Sequence, residues 1–156
     1  KYKRLYPGGP ECRLKGAYLI KCVGCQTDEA GNITEIAAEY DPESRGGDPA
    51  DGRKVKGATI HWVDAATAVD AQVRLYDNLF ADENPDSGEK DFLECLNPGS
   101  LEVLEGCKLE ASLSAAQPSD RFQFLRLGYF CADSKDSKPG ALVFNRSVSL
   151  KDSYKK

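Results

Sequence analysis

The chain of 156 residues, with 40% hydrophobic and 29% charged residues, has the size and composition of one ordinary globular domain or two small barrels. It has no apolar run near the roughly 20 residues that a membrane-spanning helix requires, and we expect no secretory signal sequence. Because it starts with Lys1 and contains no methionine, we expect it to be a piece of a longer protein.

The net charge of −4 is distributed unevenly along the chain. Residues 1–21 and 121–156 are strongly basic, whereas residues 28–51 and 82–110 are strongly acidic. If the two ends meet in the fold, they form one basic face on an acidic body, which favours a polyanionic partner. Charge that is merely scattered over the surface is the alternative.

Apolar residues and regularly spaced turn residues predict mostly β-strands. The segments 17–25 and 33–40 predict a hairpin, because Gly31 and Asn32 between them can adopt positive φ. Residues 40–54 follow and are rich in proline and glycine. They predict a long structured loop that contributes no element to the core.

Two strands, at 55–63 and 71–80, precede the only predicted helix. Asp86 and Glu89 have the spacing of a capping box, and a short helix is expected to follow them through the segment EKDFLECL. The sequence Asn97-Pro98-Gly99 would end it.

Three more strand segments complete the chain, at residues 100–113, 121–131 and 141–150. Turn signals recur about every dozen residues, which is typical of closed or nearly closed antiparallel sheets. We therefore expect an all-β fold, either one barrel or a pair of barrels, with little helix.

One arginine is in phase with three phenylalanines. Within residues 121–131, Phe122, Phe124 and Phe130 share one face of an extended chain, and Arg126 falls on the same face. Either the strand ends or bulges at this arginine and turns it to water, or Arg126 is directed at a ligand. The residues alone leave both interpretations open.

No arrangement of residues indicates catalysis. His61, the only histidine, stands beside the only tryptophan within a predicted strand and has no reason to face a serine. No glycine-rich segment has the spacing of a phosphate-binding loop. Cys22 and Cys25 form a CxxC pair, but positions i and i+3 of a strand point to opposite faces, and the other cysteines supply no second pair. We therefore expect reduced thiols and no metal site.

The basic N-terminal segment combines cations with aromatic rings. The first six residues, KYKRLY, interleave three cations with two tyrosines, and Arg13 and Lys15 are expected on one face of the next strand. This combination suits single-stranded nucleic acid, because cations hold the phosphates and rings stack on unpaired bases. An exposed N-terminal tail is the alternative.

Six segments, in chain order, resemble the C-terminal part of bacterial glutaminyl-tRNA synthetases. They are YKRL (2–5), RLKGAYLIK (13–21), DPADGRKVKG with IHWV (48–63), RLYDNLF (74–80), FQFLRLGYFC (122–131) and VFNRSVSL (143–150). Glutamyl-tRNA synthetases of the archaeal and eukaryotic type share the fold and are the near alternative. The resemblance implies two β-barrels of the ribosomal L25-like type, a distal one at residues 1–95 and an incomplete proximal one at residues 96–156. These barrels bind the anticodon loop of tRNA(Gln) in the family.

The resemblance also assigns contacts with the outer anticodon bases. Lys3 and Arg4 match the Lys-Arg pair that contacts the last two anticodon bases and their phosphates, and Arg13 matches an arginine near the first base. Lys15 stands where the family has a second arginine. Because lysine cannot form a bidentate fork, this contact would be weaker or only to phosphate.

Gln123 and Arg126 match the pair that contacts the central uridine, which favours the interpretation that Arg126 is directed at a ligand. A glutamine amide can donate to and accept from a uracil edge, while an arginine covers a carbonyl or a phosphate. Two residues three positions apart on a regular strand face opposite sides. The strand must therefore bulge or end between them, within Leu125–Gly128.

In the family, the chemistry belongs to a catalytic domain of the same chain, which forms glutaminyl-adenylate from ATP and Mg²⁺ and whose motifs are absent here. The resemblance therefore implies a part of a class I aminoacyl-tRNA synthetase with no catalytic site and no cofactor of its own. Its partners would be tRNA(Gln) and that catalytic domain in the cytoplasm, and neither a membrane nor DNA. Because a preceding segment completes one barrel in the family, we also expect strand exchange between copies.

Two interpretations of other classes stay open. A non-catalytic β-barrel that binds a protein or ribosomal RNA by shape would show no dependence on the anticodon sequence. A small hydrolase that uses His61 would lose its activity in the variant His61→Ala.

Overall fold

The computed structural model describes residues 4–88 and 90–150. These residues form β-strands joined by turns and short 3-10 helices, and they divide between Trp62 and Val63 into two compact units. The all-β prediction is confirmed, and neither of the two sheets closes into a barrel within the described residues. The assignment of residues 1–95 and 96–156 to a distal and a proximal barrel stays a prediction.

The first unit contains the strands β1 (Cys12–Leu14), β2 (Leu19–Thr27), β3 (Ile33–Asp41) and β4 (Thr59–Ile60). They form one sheet in the order β3-β2-β1-β4, in which β2 and β3 are the predicted antiparallel hairpin. Gly31 adopts a φ of 79° in the turn of this hairpin, a conformation that glycine accepts without strain. Strand β4 is shorter than the predicted strand at 55–63, because it pairs in parallel only with the last two residues of the short β1.

The core of the first unit is small. Leu5, Cys12 and Cys22 are buried together, and three partly buried isoleucines pack against them: Ile20, Ile36 and Ile60. The loop at 40–54 contributes no residue to this apolar cluster, as expected, but it is anchored beside the sheet. Its 3-10 turn, Pro42–Ser44, places the fully buried Ser44 hydroxyl where it accepts a hydrogen bond from the Leu19 N–H at 2.8 Å.

The second unit contains the strands β5 (Val69–Tyr76), β6 (Leu101–Leu109), β7 (Arg121–Phe124), β8 (Gly128–Ala132) and β9 (Leu142–Ser149). Their order in the sheet is β6-β5-β9-β8-β7, and only β5 and β9 are parallel neighbours. The predicted strand at 100–113 ends early, since a 3-10 helix occupies Ala111–Ala115. The core lies on one face of this sheet and consists of Ala71, Val73, Ala116, Phe130, Ala132, Leu142 and Phe144.

The helix predicted after Asp86 does not form. Instead, three consecutive turns bond the N–H groups of Glu94, Cys95 and Leu96 to the carbonyl oxygens three residues earlier. Phe92 and Leu93 are more than half exposed, so the segment lacks the buried apolar face that stabilises a short helix. Glu89, the second residue of the expected capping box, lies outside the described residues. No helix in the described part of the chain is long and apolar enough to cross a membrane.

Candidate nucleic-acid interface

The turn between β7 and β8 places Arg126 apart from the phenylalanines with which it is in phase. Strand β7 ends at Phe124, and the N–H of Leu127 donates to the Phe124 carbonyl at 2.9 Å. Arg126 itself has a φ of 68°, in the left-handed region that residues other than glycine rarely adopt. The strand therefore ends between Gln123 and Arg126, as the resemblance required.

Aromatic packing on the core face of the sheet stabilises this hairpin. Phe124 stacks on Phe130 with ring centroids 4.4 Å apart, and its ring centroid lies 5.5 Å from that of Phe144. Phe122 meets Phe144 edge-on at 5.8 Å. Because alternate residues of β7 point to opposite faces, Gln123 lies on the exposed face of the sheet, away from this cluster.

Exposed side chains of mixed character surround Gln123. It is paired across the strands with Tyr129, and Tyr129 is paired with Val148 on the next strand. Tyr129 and Val148 are both about half exposed, and so are the turn residues Leu125 and Leu127. An amide, a cation, a tyrosine ring and exposed apolar surface are the groups that hold an unpaired base by hydrogen bonding and stacking.

Gly128 allows the close approach of β9 to this turn. A Cβ atom at this position would lie 2.5 Å from the Val148 carbonyl oxygen and 3.5 Å from Cδ of Arg146, and φ is 148°. Any larger residue would push β8 away from β9 and would change the position of the turn that carries Arg126.

In the first unit, Arg13 lies on β1 and its side chain folds onto the loop that follows β3. Its Nε donates to the Gly47 carbonyl oxygen, and its Nη2 lies 3.0 Å from Oδ1 of Asp48. The guanidinium is therefore held by a backbone oxygen and one exposed carboxylate, and the side chain keeps 29% of its surface exposed.

Lys15 is not on the strand face of Arg13, contrary to the prediction, because β1 ends at Leu14. It lies in the following turn, in which Gly16 has a φ of 70°. Its N–H donates to the Ile60 carbonyl at 2.9 Å, and its carbonyl accepts from Nε1 of Trp62 at 3.1 Å. The Lys15 side chain is exposed, and Trp62 is 47% exposed. The sequence did not reveal that Trp62 bonds to the turn that contains Lys15.

Arg4 is exposed at the start of the described chain, and Lys3 lies outside the described residues. The Arg4 carbonyl oxygen accepts from the Cys12 thiol at 2.8 Å, and the next residue, Leu5, is buried in the core. The backbone at Arg4 is thereby fixed next to β1. Arg4, Arg13 and Lys15 thus belong to the first unit, whereas Gln123 and Arg126 belong to the second.

Arg53 is a further cation of the first unit that sequence reasoning passed over. It forms two hydrogen bonds of 3.0 Å with the Glu11 carboxylate and contacts Asp41 at 2.6 Å and Asp51 at 3.0 Å. These carboxylates, Glu11 first, raise the pKa of Arg53, and its hydrogen bonds lower the pKa values of Asp41 and Asp51. Arg53 therefore joins the loop to Glu11, which directly precedes β1, and to Asp41 at the end of β3.

A second polar cluster lies on the exposed face of the second sheet. Asp133 accepts from the backbone N–H groups of Asp136 and Lys135 at 2.8 and 2.9 Å and from the Asn145 amide at 2.6 Å. Arg74 lies 3.5 Å from Asp133 and 2.7 Å from Asp136. The backbone hydrogen bond from Asp136 and the other donors lower the pKa of Asp133 to about 2. The cluster ties the loop after β8 to β5 and β9.

His61 follows the end of β4 and is exposed, so its expected place within a strand is wrong. Cys12, Cys22 and Cys95 are buried free thiols. Among the residues 4–88 and 90–150, no three His, Cys, Asp or Glu side chains are grouped as a metal site would need.

Residues 59–133 match the family model described as "tRNA synthetases class I (E and Q), anti-codon binding domain". The matched stretch includes β5 to β8 and therefore the turn with Gln123 and Arg126. The resemblance found in the sequence is confirmed.

Curated relatives agree with this family. The chain is 56% identical over 155 residues to "Glutamine--tRNA ligase" of Pseudomonas syringae pv. tomato. The aligned residues make up 98% of this chain and 27% of the relative. Proteins of the same name from Azotobacter vinelandii and Ralstonia pickettii are both 54% identical, over 98% and 99% of this chain respectively and 27% of each relative. The chain thus spans about a quarter of the length of the curated relatives it matches.

Proposed function

We propose that this chain is the anticodon-binding part of a glutamine–tRNA ligase and that it binds the anticodon loop of tRNA(Gln). The observation that carries the proposal is the β7–β8 turn. Within the stretch that matches the anticodon-binding family, this turn combines a left-handed Arg126, an exposed Gln123 and a half-exposed Tyr129. These groups can hold one base that has left the stack of the anticodon loop.

At the central position, Gln123 and Arg126 contact the uridine. The glutamine amide both donates to and accepts from the Watson–Crick edge, and the guanidinium donates to a carbonyl or a phosphate. By analogy with bidentate base contacts, the loss of either group weakens discrimination by about 1–3 kcal/mol, which is roughly a factor of 5 to 150. The strained backbone at Arg126 supports a functional role for this position.

At the outer positions, Lys3 and Arg4 contact the last two bases and their phosphates, and Arg13 contacts the first base. Lys15, exposed at the tip of its turn, serves as a single positive charge for a phosphate. The first unit therefore contributes most of the phosphate contacts, and its binding depends more steeply on salt than that of the second.

The complete ligase uses ATP and Mg²⁺ to join glutamine to tRNA(Gln) in the cytoplasm, with its catalytic domain in another part of the same polypeptide. The energy of anticodon binding is used there to position the acceptor end of the tRNA in the distant active site. Among the described residues of this chain, none is assigned to the chemical step.

Binding of the 156-residue chain to transcripts tests the proposal. A tRNA(Gln) transcript, one with the central uridine changed, and a tRNA(Glu) transcript are compared at two salt concentrations. We expect the first to bind best, and we expect the variants Gln123→Ala and Arg126→Ala to lose the preference for the uridine. The control variant Lys108→Ala removes an exposed cation of β6 and should keep that preference.

The other outcomes distinguish the alternatives. Equal binding of all transcripts with a steep salt dependence would indicate phosphate contacts alone and would contradict base recognition by this chain. A preference for tRNA(Glu) would assign the chain to a glutamyl-tRNA synthetase. No binding at either salt concentration would favour a β-sheet protein that binds another protein.

A further inference from the structure

We propose that Gly47 and Asp48 are positioning residues that hold Arg13 as a donor to a base edge and reduce its attraction for phosphate. The inference rests on the proposed function, because it takes Arg13 as the contact to the first anticodon base. It adds a specificity element to that site, formed by the loop after β3.

Two atoms of this loop hold the guanidinium directly. The Gly47 carbonyl oxygen accepts from Nε, and the Asp48 carboxylate accepts from Nη2 at 3.0 Å. The acceptors lie on consecutive residues, so they fix both the direction and the rotation of the planar group. The N–H groups of Nη1 and the second N–H of Nη2 are the donors that can serve a base.

The stem of Arg13 also fits the loop closely. A Cβ atom at Gly47 would lie 2.8 Å from Cδ and 2.9 Å from Cγ of Arg13, and Gly47 has a φ of 102°. Only glycine combines this conformation with this contact. The arginine side chain therefore lies directly on the loop backbone, and its position depends on that of Gly47.

The loop is itself anchored on both sides of these residues. The Gly46 N–H donates to the Ala17 carbonyl at 2.7 Å, and the buried Ser44 hydroxyl bonds to Leu19 and to the Asp41 carbonyl. Arg53 then joins Asp51 to Glu11 and Asp41. Because the loop is fixed to β1, β2 and β3, it can serve as a rigid support for Arg13.

The charge of Asp48 determines which ligand suits this arginine. Its side chain is 91% exposed, so a phosphate that approached the guanidinium would also meet the carboxylate and be repelled. A base carbonyl or ring nitrogen carries no net charge and avoids this repulsion. An exposed ion pair contributes little to folding, which allows a test of binding without a large change in stability.

Asp48→Asn removes the charge and keeps the shape. In the 156-residue chain, we compare binding of a tRNA(Gln) transcript and one with the first anticodon nucleotide changed, over a series of salt concentrations. We expect the variant to bind both transcripts more tightly at low salt, with a salt slope steeper by about 0.7, as for one more phosphate contact. The ratio of the two affinities should fall several-fold.

Asp70→Asn is the matched control. Asp70 also forms an exposed ion pair, with Lys108 in the second unit, so its substitution makes the same change in net charge. We expect both its affinity ratio and its salt slope to equal those of the unmodified chain. Thermal unfolding of both variants checks that they are folded.

Three results would overturn the inference. An unchanged ratio and slope in Asp48→Asn, with normal discrimination by the unmodified chain, would remove the role of Asp48 and leave the proposed function intact. A uniform loss of affinity for both transcripts would show that Asp48 contributes to binding without selecting the base. If the unmodified chain fails to distinguish any altered anticodon, including one with a changed central nucleotide, the proposed function fails and this inference fails with it.

Discussion

The two units support their candidate binding arginines in different ways. Arg126 lies in the turn between β7 and β8, and these strands are held by the packing of their own rings, those of Phe122, Phe124 and Phe130, with Phe144 of β9. Arg13 rests on a polar loop through a carbonyl oxygen and a carboxylate. Apolar packing is not weakened by ionic screening and fixes a backbone, whereas hydrogen bonds fix the guanidinium itself and respond to charge. Under the proposed function, backbone geometry would therefore determine central-base recognition, and side-chain geometry would determine first-base recognition.

The largest expected effect comes from the aromatic support in the second unit. Phe144 is fully buried and contacts two phenylalanines of β7. We expect Phe144→Ala to lower the free energy of unfolding by about 3–5 kcal/mol, because it leaves a cavity that its neighbours fill only partly. Urea unfolding measures this loss, and the preference for the central uridine should weaken in the same variant.

Phe92→Ala serves as the control for this substitution, since Phe92 is 57% exposed. It should unfold within about 0.5 kcal/mol of the unmodified chain. A Phe144→Ala variant as stable as this control would contradict the assignment of the core.

The support of Arg13 is tested by two neighbouring glycines. Gly47→Ala combines a strained φ with a clash against Arg13, whereas Gly46→Ala has a φ of 96° and no atom within 4 Å of the new Cβ. Each should lower the free energy of unfolding by about 1–3 kcal/mol through strain. Only Gly47→Ala should weaken discrimination at the first anticodon base, as measured with the transcript pair for that base. Equal discrimination by both variants would show that the contact with Gly47 does not position Arg13.

A smaller effect, of opposite sign on stability, is expected at the turn itself. Arg126→Gly relieves a left-handed φ of 68° and should raise the free energy of unfolding by up to about 1 kcal/mol. The same variant should lose the preference for the central uridine. Ser119, with a φ of 74°, provides the comparison, since Ser119→Gly should gain similar stability and keep the preference. Loss of stability in Arg126→Gly would mean that the arginine serves the fold.

The smallest expected effect is on the free energy of unfolding at acid pH. The folded state lowers the pKa of Asp133 to about 2 from an ordinary value of 3.8, so the deprotonated carboxylate stabilises the fold. This contribution is present above pH 4 and is lost as the pH falls from about 4 to 2. Urea unfolding at several pH values should show a shallower acid dependence for Asp133→Asn than for Glu102→Gln, which removes an exposed carboxyl of β6. Parallel curves for the two variants would contradict the role of the Asp133 hydrogen bonds.

Local patterns predicted the parts of the fold that depend on neighbouring residues. The β2–β3 hairpin followed from Gly31 between two apolar segments. The end of β7 was required only once the family resemblance assigned Gln123 and Arg126, three positions apart, to the same base. The prediction of a helix after Asp86 was wrong because the spacing of a capping box does not indicate whether Phe92 and Leu93 are buried against other residues.

The role of the loop after β3 could not be predicted from local patterns. Arg53 and Glu11 are 42 positions apart, and Arg13 and Asp48 are 35 apart. Proline and glycine indicate a loop, but they do not indicate that Ser44 is buried or that the loop receives an arginine. The residues themselves drew attention to Arg126 and Arg13, but their roles came from the family resemblance. The partners of Arg13 depend on how the loop packs against β1, which no local pattern indicates.

A crosslink from the central anticodon base tests the account most directly. A tRNA(Gln) transcript with 4-thiouridine at that position is bound to the chain, irradiated, and the modified peptide is mapped by mass spectrometry. Recognition of the central base by Gln123 and Arg126 predicts crosslinks within residues 121–129, which form β7, its turn and the start of β8, and their loss when excess unmodified tRNA(Gln) competes. Crosslinks confined to the first unit, or ones that a tRNA with a changed anticodon competes away equally well, would contradict recognition of the central base by Gln123 and Arg126.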